Sequence, residues 1–142
     1  MTLREPIAWE EVRGLAALVG RLVEEHRGYA SDMEELGRLA EAEEKVETLR
    51  RPFASLQDRL TEHMLVEESE VYPEVMRRDH FDSTVSTVMQ QHHDVTASLA
   101  RMEFSLRIGK LPEFRSGLEG LSAVLRSHQP AEEEKVFPLL FD

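Results

Sequence analysis

Residues 63–73 read HMLVEESEVYP and residues 128–138 read HQPAEEEKVFP. At an offset of 65 they pair His63 with His128, Glu67 with Glu132, Glu68 with Glu133, Val71 with Val136, Tyr72 with Phe137 and Pro73 with Pro138. Upstream, Leu56 and Leu60 pair with Leu121 and Leu125 at the same offset. Any two amphipathic helices share leucines. A shared histidine, two shared glutamates and a shared proline in one register point to a duplicated helix pair. In each copy the histidine and the first glutamate are four residues apart, which on a helix puts them on one face about one turn apart.

Outward from these stretches, apolar residues recur at three and four, with no strand alternation. The spacing predicts four helices. The first starts between Pro6 and Glu10, carries Val12, Leu15, Val19, Leu22, His26, Tyr29 and Met33, and fades into the charged stretch 41–47, a connection or a frayed helix end. The second carries Phe53, Leu56, Leu60, His63, Glu67 and Val71, and Pro73 ends or kinks it. The third follows the polar turn 77–83, with Asp82 or Ser83 as N-cap. It carries Val85, Val88, His92, Val95, Leu99 and Met102, then breaks at IGKLPEF, residues 108–114. The fourth carries Leu118, Leu121, Leu125, His128, Glu132 and Val136, and Pro138 closes it. Four such helices with short connections give an all-α, antiparallel up-down four-helix bundle with an internal two-fold helix-pair repeat. One domain is expected over residues 1–142, with 1–12 available as an N-terminal arm.

Each inward stripe therefore carries a histidine, and two carry a glutamate where a bundle wants hydrocarbon. Burying an unpaired carboxylate costs several kcal/mol unless it is paired or binds a metal. The stripes offer no Lys or Arg, so a cation resolves the charge. The candidate ligands are His26, His63, Glu67, His92, His128 and Glu132. They suffice for two ions: two imidazoles on each, both glutamates bridging, and an oxide or hydroxide as a further bridge. A six-coordinate ion then keeps one open position. The all-nitrogen and oxygen donor set suits iron, with zinc or manganese as alternatives.

Neighbouring residues compete for some of these places. His92 shares the stripe of Val85, Val88, Val95 and Leu99, whereas His93 shares a face with Ser86, Met89 and Thr96. Pro130 bends the last helix between His128 and Glu132, which raises Glu133 as the alternative to Glu132. Glu68, Glu133 and Glu134 are expected on a solvated face, with Glu68 or Glu133 able to orient a ligand imidazole. His80 is expected at the surface, and Tyr72 and Phe137 in helix-end packing. Tyr29, one turn after His26, either packs in the core or reaches towards the open metal position.

Composition removes other classes. The 142 residues include no cysteine, which excludes disulfides, thiolate sites and cysteine nucleophiles. The net charge of -11 repels phosphate backbones, so no nucleic-acid partner is expected. The opening MTLREPIAWEEV lacks the apolar run of a signal peptide, and the nearly apolar stretch 14–20 is too short to span a bilayer. A cytoplasmic protein without a membrane partner is expected. No HExxH, nucleophile elbow or phosphate loop is present. No candidate histidine has a glutamate three residues before it, unlike the Glu-x-x-His pairs of ferritin-like proteins.

The pattern His26, His63-x-x-x-Glu67-Glu68, His92, His128-x-x-x-Glu132-Glu133, with VYP and VFP following, resembles the hemerythrin-like HHE cation-binding domain over residues 8–140. The resemblance implies a non-haem di-iron centre in an antiparallel four-helix bundle. His26, His63, His92 and His128 would be terminal ligands, and Glu67 and Glu132 the bridges. It also implies binding or sensing of oxygen, nitric oxide, peroxide or iron itself, with a di-iron oxidase or peroxidase as the enzymatic alternative. A metal-stabilised helical interaction module is the non-enzymatic alternative. Oxygen-carrying hemerythrins use five histidines, with a spacing of five and an aspartate on the last helix. The departure here argues against simple reversible oxygen transport.

Overall fold

The computed structural model describes residues 9–42, 45–78 and 83–141. Among the described residues every element is helical and none is a strand. Helix α1 spans Trp9–Glu41, α2 Val46–Val66, α3 Tyr72–Arg77, α4 Ser83–Arg107 and α5 Leu111–Ala131. A π-helical turn, Glu67–Val71, joins α2 to α3 without a break. A second π-helical turn, Glu132–Val136, continues α5 and runs into a 3-10 turn, Phe137–Phe141. The chain thus forms four rods. The first packs on α2 and α5, and α4 packs on the same two, closing a four-membered ring.

The predicted stripes are the buried ones from Leu22 onward, while Val12, Leu15 and Val19 at the start of α1 are only half-buried. Leu22, Tyr29 and Met33 on α1, Phe53, Leu56 and Leu60 on α2, Val85, Val88, Val95, Leu99 and Met102 on α4, and Leu118, Leu121 and Leu125 on α5 are all buried. They form two apolar clusters. One contains Tyr29, Leu60, Met64, Val95 and Leu125; the other contains Leu22, Val71, Val88 and Val136. Along each rod a histidine separates the two clusters, and their order alternates from rod to rod. Alternation of that kind is the mark of antiparallel neighbours.

Neither Pro73 nor Pro138 stops its rod. Pro73 neither ends nor breaks the second rod: it sits in the first turn of α3, where its missing N–H is no loss. Pro52 lies inside α2 and Pro130 inside α5. Pro138 does not close the chain's helical structure, which tightens into the 3-10 turn instead. The break after α4 falls where IGKLPEF placed it, and Gly109 there takes a left-handed φ of 74°. Residues Trp9 to Val12 belong to α1. Pro6, His80 and Asp82 lie outside the described residues. No described helix is long and apolar enough to cross a membrane.

Candidate metal centre

The six candidate ligands come together midway along the rods. His26 is 3% exposed, His63 4%, His92 2%, His128 3%, and Glu67 and Glu132 0%. His26 Nε2 lies 3.1 Å from His63 Nε2 and 3.3 Å from Glu132 Oε1. His63 Nε2 lies 3.3 Å from Glu67 Oε2, and His92 Nε2 lies 3.0 Å from Glu67 Oε1. His128 Nε2 lies 3.0 Å from Glu132 Oε1. Two overlapping groups result: His26, His63, Glu67 and Glu132 on one side, and Glu67, His92, His128 and Glu132 on the other. Within each, one donor atom of every residue lies within 4.8 Å of the others. The two glutamates are common to both.

Every Nε2 faces inward, and each Nδ1 faces a different partner. His63 Nδ1 lies 2.8 Å from Glu25 Oε1, and His128 Nδ1 lies 2.8 Å from Gln91 Oε1. His92 Nδ1 lies 3.3 Å from Glu68 Oε1. His26 Nδ1 is 3.6 Å from Glu133 Oε2, beyond hydrogen-bond reach. An N–H on Nδ1 donating to these oxygens leaves Nε2 as a free lone pair, the form a metal takes. Glu25 and Gln91 went unnoticed in the sequence. Each directly precedes a histidine of the site, His26 or His92, and comparing those positions between the halves is the signal that finds them.

The register alternatives resolve on burial. His92 is inside and His93 exposed. Glu132 is fully buried while Glu133 stays partly exposed, so Pro130 does not swing Glu133 inward. Glu134 is exposed. Tyr29 packs in the core, its ring edge-on to His63, and its hydroxyl donates outward to the Arg59 carbonyl at 3.0 Å. Tyr72 is more than helix-end packing. Its hydroxyl lies 3.0 Å from His92 Nε2 and donates to Glu132 Oε2. Phe137, its counterpart, stacks on His26 with ring centroids 6.1 Å apart.

The π-helical turns explain why Tyr72 was missed. On a regular helix residue 72 would stand about 140° around from Glu67. The wide turn closes instead through a hydrogen bond from the Tyr72 N–H to the Glu67 carbonyl, and the same bond joins Phe137 to Glu132. One extra residue per turn brings Tyr72 and Phe137 back under the glutamates.

Electrostatics make the metal-free arrangement costly. Burial, together with the neighbouring Glu132 charge, pushes the Glu67 carboxyl well above the usual carboxylate range, against the pull of His92. Burial acts on Glu132 in the same sense, but the pull of the His128 and His26 imidazoles beside it overcomes burial and holds that carboxyl well below the range. Burial and both glutamates raise the Tyr72 phenol. Glu67 Oε2, Glu132 Oε1 and His128 Nε2 are buried without a hydrogen-bond partner. Orphaned polar atoms of that sort are expensive, and a cation among them satisfies all three. The residues therefore fit a metal.

A family model, the hemerythrin HHE cation-binding domain, matches residues 17–140. The chain belongs to the hemerythrin HHE family. The match spans all four rods, as the repeat in the sequence implied. Neither a curated protein nor a solved structure matches the chain significantly. The cation that gives the HHE family its description has a place here in the two His and Glu groups.

Proposed function

We propose that this chain holds two iron ions between its helices and that the pair binds or senses a small ligand such as oxygen, nitric oxide or peroxide. The observation that carries this reading is that Glu67 and Glu132 belong to both ligand groups. Shared carboxylates hold two ions side by side, where separate sites would hold them apart. Bound iron would supply redox chemistry and coordination positions beyond those the protein fills. The nitrogen and oxygen donors favour iron, manganese or zinc over soft ions.

The chain's own residues do the rest. The four imidazoles and two carboxylates supply donors; Glu25, Glu68 and Gln91 accept from the outer ring nitrogens and hold the imidazoles in one tautomer. The two apolar clusters exclude water from either end. A cavity of about 10 Å³ touches His26, His63 and His128 from the side of Tyr29, Leu60, Met64, Val95 and Leu125. That is the size of one water, so it admits very small guests and no larger substrate.

The test is an optical spectrum of the iron-loaded protein before and after anaerobic addition of nitric oxide. A shifted spectrum with saturable dependence on nitric oxide is expected. An unchanged spectrum with two irons bound would contradict the small-ligand reading, and one zinc with no visible absorption would favour an interaction module held together by metal.

A further inference from the structure

The duplication breaks at one position beside the centre. Both π-helical turns deliver their next residue inward, but Phe137 arrives with a bare ring and Tyr72 with a hydroxyl. Resting on the two-ion reading above, we propose that Tyr72 is a further metal ligand, giving its phenol oxygen to the ion held by His92 and His128.

Distances carry the proposal. Donors about 2.1 Å from one ion and at right angles to each other are about 3 Å apart. The separations between the imidazole and carboxylate donors are 3.3 Å for His26 and Glu132, 3.3 Å for His63 and Glu67, 3.0 Å for His92 and Glu67, and 3.0 Å for His128 and Glu132. Tyr72 Oη at 3.0 Å from His92 Nε2 falls in the same set, and it also touches Glu132. Tyr72 is 1% exposed, so its oxygen has no water to bond instead. Tyr29, the other tyrosine of the chain, instead turns its hydroxyl away from the centre to the Arg59 carbonyl. On ligation the O–H bond is exchanged for an O–metal bond and the proton leaves to solvent, with no electron transferred. The charge of the ion outweighs the two carboxylates that oppose a phenolate in the metal-free chain.

The consequence is an unsymmetrical pair. Tyr72 occupies a position on the ion at His92, and Phe137 offers nothing to the ion at His26. The small cavity touches both imidazoles of the His26 and His63 ion, but only His128 of the other. The position left for an outside ligand is therefore on the His26 and His63 ion.

The experiment compares the iron-loaded wild-type protein with Tyr72→Phe by resonance Raman and optical absorption, counting iron in both. The wild type should show enhanced tyrosinate ring modes, and Tyr72→Phe should keep its iron and lose those modes. Two irons in the wild type without tyrosinate modes would overturn the Tyr72 assignment and leave the two-ion centre standing, whatever the variant does. Modes that persist in Tyr72→Phe would overturn it equally. A wild-type chain that takes up no stoichiometric iron would overturn both readings together.

Discussion

Glu67 and Glu68 are adjacent, yet one is fully buried between His63 and His92 and the other lies at the surface with an oxygen near the far side of His92. Glu67→Ala should lose the paired centre. Glu68→Ala should keep the metal stoichiometry and weaken affinity by about tenfold, the low end for a residue that only orients an imidazole. Metal titrations of both variants check this; equal retention would contradict it. His92→Ala should lose metal while His93→Ala, whose side chain is exposed, retains it. Which residue of each pair is buried was legible because helical periodicity alone separates Glu67 from Glu68 and His92 from His93. Tyr72 was not legible, because its inward position depends on a π-helical turn that periodicity of 3.6 does not anticipate. Glu25 and Gln91 were hidden for another reason. Each reaches across to an imidazole on a neighbouring rod, a contact with no local spacing.

At the scale of the element, the four rods followed from stripes that repeat over many turns, and their ends were harder to place. Pro73 was read as ending or kinking its helix and Pro138 as closing the last one, but a proline in a first turn is tolerated, and the helical structure runs past both. The end of α4 is the exception, since its signal is local. Gly109 adopts φ 74°, its N–H bonds to the Leu106 carbonyl at 3.3 Å, and the Lys110 N–H bonds to the Ser105 carbonyl at 2.9 Å. Paired bonds of this kind cap a helix and require a left-handed residue. A Cβ on Gly109 would meet nothing within 4 Å, so conformation is the whole cost of adding one. Gly109→Ala should therefore destabilise the fold by about 1 kcal/mol and leave metal content unchanged. Denaturant melts with metal analysis check both halves of that statement; a loss of metal at unchanged stability would contradict it.

On the scale of the whole molecule, a polar centre divides one bundle into two apolar clusters, and the two halves of the chain meet there. Metal that binds only the folded state stabilises it by mass action. The loaded protein should melt above the metal-free one, while the leucine and valine stripes keep the metal-free chain largely helical. The difference should depend on pH. Burial raises the Glu67 carboxyl in the metal-free chain, so its contribution to stability is present at low pH and lost as pH rises through the raised value. Glu132, held below the usual range, stays ionised and adds no slope above about pH 5. Metal needs both carboxylates ionised. The gap between loaded and metal-free midpoints should therefore widen from about pH 5 to about pH 7, as followed by circular dichroism; a gap that narrows would reverse the assignment of the raised carboxyl. The most direct test of the shared centre is an iron count on purified wild-type protein beside Glu132→Ala. The account predicts two irons per chain in the wild type and loss of the pair on removing one of the two shared carboxylates. One iron or none in the wild type, or two in Glu132→Ala, would contradict it.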